Sequence, residues 1–317
     1  MLSGARVFIT GASGFLGANL MRRALVADAE VMALVRPGAD PWRLREVWDR
    51  VRIVEGDLTS LASEGARARL DKLDIVYHLA AMGLRQTCDD DLAMIQANVV
   101  GTYCALEFAK RAGATRFIQM GTSGEYGPCE RTDEEALPGP TGIYGATKAS
   151  ASILARAFSR RYEWAVVVLR PFAVYGPYEP RFRLVPCAIL RSLRGVPVEI
   201  SSGEQTRDYV HVEDVMDAAE LVASHPRAPG QTFNLSWGAE TAVKDVVTRI
   251  VALTGSRSSI LFGAKPHIPG EMWKTSGSPR KAGTLLGWTP KTLLDDGLRA
   301  TIDWFRKHAA AYDEYRL

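Results

Sequence analysis

Val7-Phe8-Ile9-Thr10-Gly11-Ala12-Ser13-Gly14-Phe15-Leu16-Gly17 carries an apolar run straight into three glycines spaced three apart. The run from Ala5 to Thr10 predicts a strand, and the pattern from about Phe15 to Ala27 predicts a helix. Glycine at such a turn permits a tight reversal, a close approach of backbone to a pyrophosphate, and packing of helix on strand. The helix N-terminus adds free N–H groups and the positive end of its dipole. The segment Gly11, Ser13, Gly14, Phe15, Leu16 and Gly17 therefore reads as a dinucleotide cradle. Its spacing is GxxGxxG, which differs from GxGxxG and points to a subgroup of such folds.

Working outward, short apolar runs alternate with helical patterns. Further strands are predicted at Glu30–Val35, Val51–Glu55, Asp74–Leu79, Arg116–Met120 and Ala165–Leu169, with a long amphipathic stretch from about Asp91 to Ala112. Strands alternating with helices argue for an α/β, Rossmann-like, doubly wound parallel sheet covered on both faces. After Arg170 prolines 171, 177, 180, 186 and 197 break the pattern and begin a smaller, irregular lobe. A helix from Val210 to about Ala223 and a seventh strand at Thr232–Leu235 return to the sheet, and a last helix covers Leu294 to about Lys307. The expected division is residues 1–170, with 203–250 partly returning, against a discontinuous substrate lobe of 171–202 and 251–317.

A chain of 317 residues with 47% hydrophobic and 24% charged residues can bury a large core. The formal charge of +3 is dispersed, which gives no basis for nucleic-acid binding. Cys88, Cys104, Cys129 and Cys187 form no CxxC pair and no metal-ligand spacing, as in a reducing cytoplasm. No run approaches the roughly 18 apolar residues of a membrane span. The N-terminus runs into the first strand and has no secretion-signal pattern. A cytoplasmic protein without membrane or nucleic-acid partners is expected.

Tyr144 and Lys148 stand one helical turn apart, so phenol and ammonium share a face. A cation beside a phenol lowers its pKa and makes it an acid or base near neutrality. With the cradle, the pair implies hydride chemistry at a carbon bearing a hydroxyl or ketone. Arg36, at the end of the second strand where Asp or Glu would select NAD, favours the 2′-phosphate of NADP. Asp57 is placed to accept a hydrogen bond from adenine, or else closes its own turn.

These segments make the chain resemble an extended short-chain dehydrogenase/reductase of the kind that modifies nucleotide sugars. The matching motifs are Gly11–Gly17, Gly56-Asp57-Leu58, His78-Leu79-Ala80-Ala81, Asn98–Thr102, Gly121–Gly127, Tyr144–Lys148, Arg170–Pro177, Arg207–Asp214 and Leu286–Pro290. The resemblance implies Thr122, Tyr144 and Lys148 as the catalytic set, and Asn98 near that lysine. It also implies cofactor contacts from Leu58, Leu79, Ala80, Ala81 and Pro171, and substrate contacts from Thr122, Ser123, Tyr144 and the diphosphate-binding Arg207. Sugar-nucleotide 4,6-dehydratases carry an acidic pair after the threonine, where this chain has Ser123 and Gly124. Decarboxylases use a Glu at the Gly124 position. Glu125 lies one residue further, where an extended segment would turn it away. A 4-ketoreductase using NADP and a 4-epimerase holding NAD remain, with Arg36 favouring the reductase. A dinucleotide-sensing protein on the same fold is a third reading, against which the intact catalytic set argues.

The lobe departs from the family at Ala173, in place of an asparagine, and at Ile268, in place of an arginine. His267, Lys265, Lys274, Arg181 or Arg183 could compensate. Trp42, Trp48 and Trp273 are expected to pack. Apolar stripes at Leu92, Ile95, Val99, Tyr103 and Leu106, and at Ile153, Leu154, Ala157 and Phe158, match helices that form a dimer interface in the family. A homodimer acting on a nucleotide-diphosphate sugar is expected.

Overall fold

Seven of the apolar runs align side by side in the computed structural model, which describes residues 2–63, 72–83, 90–267 and 270–314. They are β1 (Arg6–Thr10), β2 (Glu30–Val35), β3 (Arg52–Glu55), β4 (Ile75–His78), β5 (Arg116–Met120), β6 (Val166–Pro171) and β7 (Thr232–Leu235). The order across the sheet is β7-β6-β5-β4-β1-β2-β3, and each neighbouring pair is parallel. The chain moves outward from β1 to β3 and then crosses to β4 on the other side of β1. That reversal opens a crevice beyond the carboxyl ends of β1 and β4, where open α/β sheets take their ligands.

The helices are α1 (Phe15–Val26), α2 (Asp91–Arg111), α3 (Ile143–Tyr162), α4 (Leu184–Leu193), α5 (Val212–Ser224), α6 (Val243–Thr254), α7 (Arg280–Leu286) and α8 (Leu294–Glu314). Alternation along each strand divides the sheet's burial between two cores. Val7, Ile9, Tyr77, Val167 and Leu169 face α1 and α5, while Phe8, Val76, Phe117, Val166 and Val168 face α2 and α3. A third core fills the lobe, with Val185 and Ile189 from α4, Val246 and Ile250 from α6, and Leu298 and Phe305 from α8. Of the stretch 203–250, α5 and β7 return to the sheet, whereas α6 packs in the lobe.

Helix α2 has the length and apolarity of a membrane span, but half of its most apolar window is buried in the protein. Ala105, Leu106, Phe108 and Ala109 sit in the core under the sheet. Within α2, Gln96–Val100 is a π-helical turn, a feature that re-aims side chains and recurs at functional sites. The stretch between β2 and β3, for which no element was predicted, forms a 3-10 helix over Trp42–Arg50.

Two sequence motifs prove architectural. The buried Asp208 carboxylate accepts from the amides of Trp237, Gly238 and Gly277, stitching the lobe to β7. Asp214 accepts from the amides of Lys291 and Thr292, while its carbonyl takes the Trp288 indole N–H, anchoring the Leu286–Pro290 segment. Cys88 lies outside the described residues, and Cys104, Cys129 and Cys187 are free thiols.

Candidate active site

The glycine cradle sits where β1 meets α1. Gly11 has φ +69°, and a Cβ there would lie 2.5 Å from the Ala80 amide nitrogen and 2.7 Å from the Leu79 carbonyl carbon. Glycine is thus required because the end of β4 packs directly on the loop. A Cβ on Gly17 would meet the Gly11 carbonyl and lie 2.7 Å from the Ala12 Cα, so the first helical turn rests on the loop. Gly14 caps α1 without a side-chain hydrogen bond, and no acidic residue occupies the first turn. The first amides of α1 therefore face the crevice unopposed by side-chain acceptors, an arrangement suited to a pyrophosphate.

The other predicted cofactor residues lie on several elements, and two of them meet the Gly11 loop. Leu79 and Ala80 touch it, and Ala81 follows at the surface. Leu58 packs on the Gly101 position of α2, and Pro171 is buried at the end of β6. Asp57 is exposed, and its Oδ1 accepts from the Thr59 hydroxyl at 2.6 Å and the Ser60 amide at 2.8 Å. These bonds hold its carboxyl below the ordinary range. Arg36 is exposed just past β2. Arg43, which the sequence did not single out, donates to the Tyr178 carbonyl at 2.8 Å and the Ser13 carbonyl at 3.4 Å. It joins the cradle to the lobe.

Thr122 follows β5 in an extended conformation and caps the short 3-10 turn Ser123–Glu125. Its hydroxyl accepts from the Gly124 amide at 3.2 Å and favours the ionised form of the nearby Tyr144 phenol. The N-terminus of α3 approaches this turn so closely that a Cβ on Gly145 would lie 2.5 Å from the Gly124 carbonyl oxygen. The Tyr-Gly dipeptide is therefore what lets phenol and threonine meet. On its other side the Tyr144 ring borders Gly83.

Two sequence expectations need correction, the lowering of the phenol by Lys148 and the extended backbone at Glu125. Burial pushes the Tyr144 phenol up to about 12, and the cation that opposes this is Arg183, with the Thr122 hydrogen bond helping. Lys148 is fully buried, donates to the Met120 carbonyl at 2.6 Å, and is itself pushed down to about 8 by burial. Desolvation thus outweighs the expected lowering of the phenol by a neighbouring ammonium. Asn98 reaches the residue before Lys148: its amide accepts from the Met82 N–H and donates to the Met82 carbonyl and the Thr147 hydroxyl. From the π turn of α2 it ties the loop after β4 to α3.

Glu125 is turned from the crevice by a 3-10 turn, and the extended segment assumed from sequence is absent there. Its carboxylate has no exposure and accepts from the Thr122 amide at 3.0 Å, the Ser152 hydroxyl at 2.9 Å and Arg170 Nε at 2.7 Å. Arg170 continues to the Tyr126 hydroxyl, which donates to Asn234 Oδ1 at 2.8 Å. This network sets the position of Thr122 and withholds Glu125 from any reaction in the crevice. Buried His78 bridges the Thr10 and Thr102 hydroxyls at 2.7 and 3.0 Å, and burial drives its pKa down to about 3.

Arg207 lines a lobe cavity of about 360 Å³ together with Ala173, Arg183 and Lys265. Its guanidinium contacts Glu271 Oε1 at 3.3 Å, and Glu271 also meets His267 at 3.0 Å. Arg181 donates to the Tyr312 carbonyl at 3.2 Å and Lys274 pairs with Glu130 at the surface. Of the cations offered as compensation, Arg183 and Lys265 line the cavity. Ile268 lies outside the described residues. Trp42 packs among Tyr178, Tyr312 and Arg43, and Trp273 lies against His267 with ring centroids 4.8 Å apart.

Comparison with known proteins places these features in context. The profile of the NAD dependent epimerase/dehydratase family matches residues 7–236. A UDP-glucose 4-epimerase of Mycolicibacterium smegmatis is 30% identical over 312 residues, spanning 95% of this chain and 98% of that protein. The structure of MoeE5 in complex with UDP-glucuronic acid and NAD is 33% identical with a TM-score of 0.84, covering 95% of this chain and 99% of its own. The structure of epimerase Mth375 from Methanothermobacter thermautotrophicus has a TM-score of 0.91 at 26% identity, covering 99% of this chain and 95% of its own.

Proposed function

The chain belongs to the NAD dependent epimerase/dehydratase family, and from that premise we propose that it is a nucleotide-sugar 4-epimerase with resident NAD. The observation that carries the reading is the isolation of Tyr144 and Thr122 as the proton-handling pair. Glu125 is locked to Arg170, and Ser123 and Gly124 offer no carboxyl for elimination. Chemistry is thereby confined to one carbinol carbon. The curated relative named UDP-glucose 4-epimerase, matched over almost its full length, supports returning the hydride to the same sugar.

Bound in the cradle, the nicotinamide would accept and return hydride. Gly11, Gly14 and Gly17 would admit its pyrophosphate, Lys148 and the loop held by Asn98 would hold its ribose, and Tyr144 would exchange the carbinol proton. Thr122 holds the reacting oxygen beside the phenol, while Arg183 favours the phenolate from the lobe side. Arg207 is assigned to the diphosphate.

A second reading, a 4-keto sugar reductase consuming NADPH, is favoured by exposed Arg36. Protein purified and stripped by denaturation should release NAD, and a panel of nucleotide sugars should interconvert C4 epimers without net cofactor turnover. Stoichiometric oxidation of NADPH by a 4-keto sugar would replace the first reading by the second. The reading carries a cytoplasmic setting and a homodimer. Leu92, Ile95 and Tyr103 on α2, with Ile153 on α3, are exposed apolar residues that supply its interface, whereas Leu106 and Phe158 belong to the core. A monomer by light scattering at micromolar concentration would remove the dimer.

A further inference from the structure

The lobe cavity contains a buried carboxylate that the chemistry above leaves unused. Glu179 lines it with 2% exposure. Oε1 accepts from Arg183 Nε at 2.9 Å, whereas Oε2 is inaccessible to solvent and has no donor among the described residues. A buried acceptor left unpaired is costly, and a ligand hydroxyl would relieve it. The backbone holds this carboxylate deliberately. Tyr178, just before it, has φ +69°, a left-handed conformation that bulky side chains rarely adopt and that clusters at ligand sites. Arg43 grips the Tyr178 carbonyl at 2.8 Å, and the Tyr312 hydroxyl donates to the Glu179 carbonyl at 3.0 Å. Arg183, bonded to Glu179, is also the cation that acts on the Tyr144 phenol, and Glu179 shares the cavity with Arg207.

We infer that Glu179 is a specificity-determining residue, accepting a hydrogen bond from a neutral sugar hydroxyl and excluding sugars that carry a carboxylate. A sugar carboxylate there would face Oε2 with Arg183 already committed to Oε1, and like charges brought together in a buried site repel strongly. The substrate class is then nucleotide-diphosphate hexoses in preference to nucleotide uronates. The inference rests on the proposed nucleotide-sugar function, but binding alone tests it.

Burial pushes Glu179 up to about 7, against the opposing pull of Arg183. The other titratable groups facing it are the phenols of Tyr175, Tyr209 and Tyr312, all pushed up by burial, with Arg207, Lys265, Glu199 and Glu271 elsewhere on the cavity wall. Glu179 is accordingly the group whose charge changes as pH rises from 6 to 8. It is neutral below that window and repels an anion above it.

Calorimetric titration with UDP-, dTDP- and GDP-glucose would first fix the nucleotide, and the glucose and glucuronate forms on that nucleotide would then be compared. At pH 8 the wild-type protein should bind the hexose at least about tenfold more tightly than the uronate. That ratio should shrink at pH 6, and Glu179→Gln should shrink it at pH 8 to about the value both proteins share at pH 6. An equal ratio in both proteins, unchanged between pH 6 and 8, would overturn the inference while leaving the nucleotide-sugar reading intact. If Glu179→Gln does not fold, a pH-independent wild-type ratio overturns it on its own. Binding of no member of the panel overturns the proposed function and this inference with it.

Discussion

Replacing Lys148 by methionine keeps the length of a buried side chain and removes its charge. In the folded protein burial lowers the Lys148 ammonium from 10.5 to about 8, although Glu125 pulls the other way. That gap corresponds to roughly 3 kcal/mol of unfavourable charge burial at neutral pH. Because the folded value lies below the unfolded one, the unfolded chain binds the extra proton between them. The penalty is therefore fully present below pH 8 and is relieved as pH rises towards 10.5. Lys148→Met escapes it at every pH, while its lost bond to the Met120 carbonyl subtracts a nearly constant amount. The stability of the variant relative to wild type should thus fall by roughly 2–3 kcal/mol between pH 7 and pH 10. Urea unfolding of both cofactor-free proteins at pH 7, 8, 9 and 10 measures that difference. A difference that stays flat across the series would refute the claim that an uncompensated ammonium is stored under β5.

Three further changes probe other parts of the site. Tyr144→Phe should lower kcat by about 10²–10⁴-fold, the usual scale of lost general acid–base catalysis, with the urea midpoint nearly unmoved. Gly11→Ala forces a Cβ against the Ala80 amide at a left-handed φ, so the purified variant should carry no dinucleotide, read by absorbance after denaturation. Glu125→Ala strands the buried Arg170 guanidinium and should cost about 3–5 kcal/mol by chemical denaturation. A loss below 1 kcal/mol would mean that water reaches that pair.

Much of the fold was legible because its signals are local. Apart from the edge strand β3, each strand of the parallel sheet is a short run buried on both faces, and the Gly11–Gly17 turn states its conformation in residues that no other side chain could replace. The shared helical face of Tyr144 and Lys148 was likewise visible, since one turn fixes which residues align, though not which groups they then meet. The boundaries shifted slightly: β6 runs on to Pro171 and α8 to Glu314.

What the chain order determined, then, is the doubly wound sheet, the glycine turn and the shared helical face of Tyr144 and Lys148, all consequences of backbone periodicity and glycine sterics. Tertiary structure alone decided the charges and orientations. It buried Lys148 until its ammonium became costly, put Arg183 of the lobe nearer in effect to the Tyr144 phenol, and turned Glu125 inward to Arg170. It also left one carboxylate oxygen of Glu179 without a donor among the described residues, in a cavity that only the folding of distant segments creates. Solvation and Coulomb energies depend on which groups meet across the fold, and residues far apart in sequence carry no local mark of that meeting.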